Sequence, residues 1–202
     1  MNKKLLVDCI AFDISPEMIQ ESMDKNNGKL LVKGVLQRAN AKNQNGRVYP
    51  REVLMREAKK YSDINIKERR ALGELDHPDS SVVNLNNVSH NIVEMHWNGD
   101  DLVGTVEVLS TPAGNILREL FKSGIKLGIS SRGLGSVKQL GENSLEVQDD
   151  FDLIAFDFVS NPSTHGAFLK PINESVNSGL ISTSAKYANV NKLITEILSD
   201  FK

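Results

Sequence analysis

A chain of 202 residues with 40% hydrophobic content can bury one good core. Its 24 basic and 26 acidic residues leave a net charge of −2, which is no nucleic-acid footprint, and no basic cluster marks a membrane surface. Cys9 is the only cysteine, which excludes an intrachain disulfide and suits a reducing compartment.

The chain opens Met1-Asn2-Lys3-Lys4-Leu5-Leu6-Val7 and meets Asp8 after three apolar residues, too short a run for a secretion signal. Nothing later approaches membrane-spanning length, so the expectation is a soluble cytoplasmic protein. Residues 4–12 and 29–39 are rich in Leu, Val and Ile and short enough for strands. Between them Ser15-Pro16-Glu17 opens a short helix, and Asn26-Asn27-Gly28 marks a turn. A second polar turn follows at Asn43-Gln44-Asn45-Gly46. Pro50 then suits a first helical position, ahead of an apolar stripe of Val53, Leu54, Ala58 and Tyr61. Residues 88–97 and 102–109 read as paired strands across Asn98-Gly99-Asp100-Asp101. Thr111-Pro112 caps a helix whose face is Ile116, Leu117, Leu120 and Phe121, and Gly124 ends it. A third hairpin is expected from about 134 to 159, turning at Gly141-Glu142-Asn143. Hairpins with a few helices predict a largely antiparallel α+β domain over residues 1–172. Residues 173–188 are rich in serine and asparagine and read as a linker, before a helical pattern returns at 189–201 within a tail of 173–202.

The stretch Gly128-Ile129-Ser130-Ser131-Arg132-Gly133-Leu134-Gly135 sets two hydroxyls and a guanidinium among three glycines. Such glycine density means that the backbone bends sharply or approaches something closely. A serine there, flanked by main-chain N–H groups, suits an acyl-transfer nucleophile; a plain turn with solvated serines fits the same residues. The spacing is not that of the Gly-x-Ser-x-Gly elbow, and no Walker loop follows. Of the four histidines, His77 ends an apolar run in Leu72-Gly73-Glu74-Leu75-Asp76-His77-Pro78, which leaves its imidazole at a strand edge. His90 and His96 are expected on a solvated strand face, and no zinc-ligand spacing accompanies them. Asp157 stands in Leu153-Ile154-Ala155-Phe156-Asp157-Phe158-Val159, where a carboxylate has no place unless it is paired. Spacing alone leaves Asp76 and Asp152 as competitors for the acid that would orient His77.

Four segments in order resemble the prohead core protein proteases of T-even-type tailed phages: Asn43-Gln44-Asn45-Gly46-Arg47-Val48-Tyr49-Pro50, the Gly-Glu-Leu-x-His-Pro run ending at Pro78, the Ser130-Ser131-Arg132 stretch, and Asp157 followed by Pro162-Ser163. The resemblance implies a β-barrel-like sheet flanked by helices, as in herpesvirus assemblins. It makes His77 the general base, Ser130 the nucleophile and Asp157 the acid that orients His77. Peptide N–H groups of Ser131 and Arg132 are then the oxyanion candidates, while the Arg132 side chain either assists or pins the loop by a salt bridge. Asn45, Arg47 and Tyr49 match a family segment read here as a buried structural turn. The implied activity is a serine endopeptidase acting inside the viral prohead in the host cytoplasm, on scaffold, core and major capsid proteins. It is expected to cut after Glu in Leu/Ile-x-Glu contexts, itself included, as a homo-oligomer with no metal, cofactor, nucleic acid or membrane. A carboxylate substrate needs a cation, for which Arg38, Arg47, Arg69, Arg70 and Arg132 are available. Two rivals use the same residues differently: a serine hydrolase of small esters or amides, and a catalytically silent assembly module.

Overall fold

The computed structural model describes residues 3–12, 14–76, 78 and 80–160. In chain order the elements are β1 (Lys4–Phe12), α1 (Pro16–Lys25), β2 (Leu30–Arg38), β3 (Arg47–Val48), α2 (Arg51–Tyr61), β4 (Leu72–Glu74), β5 (Val88–Asn98), β6 (Asp101–Val108), α3 (Pro112–Lys122), β7 (Leu127–Gly135), β8 (Val137–Gly141), β9 (Ser144–Val147) and β10 (Asp152–Val159). Local chemistry accounts for the helix starts. The Ser15 and Thr111 side chains accept from the N–H groups of Met18 and Gly114, each followed by a proline in the first turn. Pro50 is the N-cap of α2 rather than its first helical residue. Val53, Leu54, Ala58 and Tyr61 are buried as the stripe requires. In α3 the inward face is Ala113, Gly114, Leu117 and Phe121, whereas Ile116 is 56% exposed.

The fold is α+β, with mostly antiparallel pairing. Three sheets form, in the orders β1-β7-β10, β2-β6-β5-β4 and β3-β9-β8. The described strands close no barrel. The expected third hairpin is smaller than its sequence range: β8 and β9 pair across residues 142–143, and β10 then returns to β7. The glycine-rich stretch is no turn. It is β7, the middle strand of its sheet, and its glycines answer a close approach. A Cβ on Gly133 would lie 2.4 Å from the Phe151 ring and 2.6 Å from the Asp152 carbonyl oxygen.

One core joins Leu30, Val32 and Leu36 of β2 with Ile92, Val106, Leu117, Ile129, Phe156 and Phe158; Phe12 and Phe121 pack edge-on against Phe158. A smaller cluster of Leu6, Tyr49, Val53, Leu54, Val147 and Phe151 joins α2 to β1 and β9. The end of β4 leans on β10, through a parallel bridge of Leu75 to Phe158 and a bond from the Asp76 N–H to the Phe158 oxygen at 2.7 Å. Gly73 makes this contact possible, since a Cβ there would sit 2.0 Å from the Phe156 oxygen. The domain boundary expected after residue 172 and the tail beyond it lie outside the described residues.

Candidate active site

Ser130 lies in β7 with a strand on either side, and its register partners are Cys9 on β1 and Asp157 on β10. Directly opposed residues project to the same face of a sheet, as does Arg132 two positions along. Ser130, Asp157 and Arg132 therefore share one face, and all three are fully buried. Ser130 Oγ has no hydrogen-bond partner among the described residues. A buried hydroxyl left so forgoes a bond that water would supply, and such exceptions concentrate where a site awaits a ligand or a catalytic partner.

Beside it a buried ion cluster assembles three elements. Arg132 Nε donates to Asp157 Oδ2 at 2.8 Å, and its Nη2 donates to Asp157 Oδ1 at 3.2 Å and Glu74 Oε1 at 3.0 Å. The Arg132, Glu74 and Asp157 side chains are all 0% exposed. Arg132 Nη1 reaches the Ser80 carbonyl at 2.7 Å, the Asn84 N–H donates to Glu74 Oε1, and the Glu74 N–H donates to Asp157 Oδ1. The guanidinium thus ties Glu74 and the Ser80 carbonyl to β7 and β10, and the Asn84 N–H is tied in turn to Glu74. His77 itself lies outside the described residues. Its predecessor Asp76 is held to β10 with a left-handed φ of 64°, a conformation that costs energy for a residue with a Cβ. Burial pushes the Asp157 carboxyl above its ordinary range, and the Arg132 guanidinium pulls it back without offsetting burial. Burial also raises the Tyr61 hydroxyl, with the Asp157 charge adding to it.

On the opposite face the second serine has a different fate. Gln37 Nε2 donates to Ser131 Oγ at 2.7 Å, and Ser131 lies opposite Asp8 in the ladder. The Asn45-x-Arg47-x-Tyr49 segment explains itself here. Asn45 Nδ2 and Arg47 Nη1 both donate to Asp8 Oδ1, at 2.7 and 3.0 Å, and the Tyr49 hydroxyl donates to Asp8 Oδ2. Asn45 and Arg47 also cap the Val7 carbonyl on the outer edge of β1. The segment clamps the strand that flanks Ser130, which agrees with its reading as a structural turn.

The geometry redirects several expectations. The N–H groups of Ser131 and Arg132, expected as oxyanion donors, belong to a strand paired on both sides, where ladder bonds use the peptide groups. The Arg132 side chain makes salt bridges to Glu74 and Asp157 and a bond to the Ser80 carbonyl, the contacts that the loop-pinning alternative calls for. Every arginine considered for a substrate carboxylate already has an acid: Arg38 with Asp101, Arg47 with Asp8, Arg69 with Glu107, Arg70 with Glu68 and Arg132 with the cluster. Asp152 is at a solvated strand end, paired with Lys3 and Lys60, as its position implied. His90 is not on a solvated face. It is fully buried, between Ser89 Oγ at 2.8 Å and the Phe156 oxygen at 2.9 Å, and burial lowers its pKa to about 4. A bulge between Ile92 and Glu94 breaks the alternation that would have set it on the face of His96. Among the described residues no group of three His, Cys, Asp or Glu side chains is placed to hold a metal. Sequence reasoning passed over Glu74 and Asp8. The signal that flagged Asp157, an acid inside an apolar run, was present at both.

Three comparisons bear on this site. Residues 13–177 match the family model described as prohead core protein serine protease. The chain is 32% identical over 145 residues to the prohead core protein protease of Enterobacteria phage T4, covering 70% of this chain and 68% of that one. Its structure superposes on that of the bacteriophage T4 capsid assembly protease with a TM-score of 0.69 at 25% identity, covering 79% of this chain and 99% of the other. A match across most of the chain, supported by both relatives, shows that this chain belongs to the prohead core protein serine protease family.

Proposed function

We propose that the chain is the serine endopeptidase of prohead maturation, with Ser130 as nucleophile, His77 as general base and a buried carboxylate, Asp157 in the reading from sequence, orienting the imidazole. The observation that carries this is the Ser130 Oγ, unpartnered among the described residues and buried beside an ion cluster that holds Glu74 and Ser80, which flank His77 in sequence. In this reading His77 takes the Ser130 proton as Oγ attacks the scissile carbonyl carbon. The proton then passes to the leaving amine, and water hydrolyses the acyl-enzyme by the same route. Asp157 Oδ2 accepts a single bond, from Arg132 Nε, so it retains capacity for a second donor.

Scaffold, core and capsid proteins are the proposed substrates, cut after Glu in Leu/Ile-x-Glu contexts inside the prohead. The test is co-expression with a candidate scaffold protein, read by mass spectrometry, alongside labelling by a fluorophosphonate probe. Cleavage and a label on Ser130, both lost in Ser130→Ala, are expected. Persistence of cleavage in that variant overturns the assignment; absence of both reactions in the parent favours the silent assembly module. Self-trimming is proposed after Glu174, in Ile172-Asn173-Glu174, which lies outside the described residues. Intact-mass measurement should show a product that Glu174→Gln or Ser130→Ala removes, and a stable full-length species ends that idea.

A further inference from the structure

β1 and β2 are outer strands of their sheets and lie side by side without pairing. β1 bonds only to β7 and β2 only to β6, and among the described residues no backbone hydrogen bond joins the two. At one end of the seam they touch, since a Cβ on Gly34 would lie 2.4 Å from the Phe12 ring. The neighbours show which peptide groups face the seam. Asn45 and Arg47 cap the Val7 carbonyl from outside the sheet, and Leu31 uses both its N–H and its carbonyl on Ser22 Oγ. Peptide groups alternate along an antiparallel ladder, so the Ala11 peptide groups on β1 and the Val35 N–H on β2 also turn away from their ladders.

A cavity of about 510 Å³ opens on this seam, walled by Ile10, Ala11, Phe12 and Val35. Its rim carries donors that lack acceptors. Lys42 lines it, is exposed, and makes no ion pair among the described residues. Asn43 also lines it, and its amide is oriented by the Arg47 N–H, which Oδ1 accepts at 2.9 Å. That leaves Asn43 Nδ2 as a buried donor without a partner among the described residues. Arg38 is engaged by Asp101, and among the described residues no aspartate or glutamate lines the cavity.

Open strand edges recruit further strands, which is why folded proteins ordinarily cover them. An extended peptide meets each demand of the seam: its main chain pairs with the edge, alternate side chains reach the apolar wall, and a carboxylate answers the two donors. We propose that the seam between β1 and β2 binds an extended segment of a partner protein, with an apolar side chain against Ile10 and Val35 and an acidic side chain held by Lys42 and Asn43 Nδ2. Ser130 stands one strand beyond β1, so the segment runs two strand spacings, about 10 Å, from it. It is anchored there rather than cut, and the site does not depend on the reading of Ser130 as nucleophile.

The test is fluorescence polarisation with the full chain carrying Ser130→Ala, so that no cleavage intervenes. The probe is a fluorescein-labelled decapeptide of alternating valine and threonine with one central glutamate. Saturable binding is expected, weakened about tenfold or more by Lys42→Gln or by lysine in place of the probe's glutamate. Asn43→Asp keeps the acceptor for the Arg47 N–H but sets a like charge in the Nδ2 position, and should weaken binding as much. Ala11→Pro removes an outward N–H without touching the β7 ladder and should also weaken it. N-methylating the probe's amides should abolish binding, because edge pairing needs them. Lys126→Gln, at an exposed lysine outside the cavity, should leave it unchanged. Lys42→Gln and the altered probes read the site even where Asn43→Asp or Ala11→Pro fails to fold. Absence of saturable binding overturns the proposal, as does equal affinity for the lysine or the N-methylated probe, or an equal loss with Lys126→Gln. Self-association that Lys42→Gln dissolves, read by sedimentation, gives the seam to a second copy and overturns it too. Loss of catalysis at Ser130 is a separate measurement, and a failure of that reading leaves this binding result unchanged.

Discussion

Replacing Arg132 by methionine isolates what the buried cluster contributes. Methionine fills much of the same volume but leaves Glu74 and Asp157 as two desolvated carboxylates sharing one site. Breaking a buried pair by removing one partner costs about 3–5 kcal/mol, against a total stability of about 5–15 kcal/mol for a domain. For a chain of this length that lowers the midpoint of thermal unfolding by about 6–20 °C. The origin of the loss predicts its pH dependence. Without the guanidinium, burial and repulsion from the neighbouring carboxylate raise the folded-state Asp157 carboxyl further above its unfolded value. The folded variant then binds more protons there than the unfolded chain, so its stability falls as pH rises through the Asp157 titration and recovers on acidification. Thermal unfolding by circular dichroism at pH 7 and pH 4.5, in a Ser130→Ala background to prevent self-cleavage, should show the deficit narrowing at the lower pH. Adding Glu74→Gln and Asp157→Asn should restore much of the stability at pH 7. A loss below about 1 kcal/mol at pH 7, or one of equal size at both pH values, refutes the electrostatic account.

Three further outcomes follow from individual contacts. Ser131→Ala should retain most cleavage activity, because its hydroxyl serves Gln37 on the far face from Ser130, whereas Ser130→Ala should remove essentially all turnover; a peptide-cleavage assay giving the reverse ranking contradicts the assignment. Burial holds the His90 pKa near 4, below its unfolded value, so the unfolded chain binds the extra proton and stability declines as pH falls from about 6.5 to 4, by on the order of 3 kcal/mol. Urea midpoints across that window should slope more steeply for the parent than for His90→Gln, and equal slopes would rule this out. Tyr49→Phe removes the donor to the buried Asp8 Oδ2 and should cost about 1–3 kcal/mol in urea unfolding; an unchanged midpoint would mean that the clamp on β1 is slack.

Much of the fold was legible from local chemistry. Ser15-Pro16 and Thr111-Pro112 announce helix starts because a hydroxyl, a fixed φ and a missing N–H all act within one turn. The strands at 4–12, 29–39 and 88–109 show as short β-branched runs between turn residues, and those lie where expected. The acid at Asp157 had to be paired, because no strand interior tolerates a lone carboxylate, and the chain does supply Arg132. Tertiary structure decided the rest. Whether Gly128–Gly135 is a turn or a strand depends on whether two other segments, 4–12 and 152–159, arrive to pair with it. Three glycines permit either outcome, and only Phe151 pressing on Gly133 shows which was needed. His90 changed faces because a bulge, invisible to a period-two count, inserts a residue between it and His96. The roles of Glu74 and Asp8 were likewise set by partners 58 and 37–41 positions distant in sequence. A buried charge can be recognised locally as needing a partner, but which partner it meets is a property of the folded chain alone.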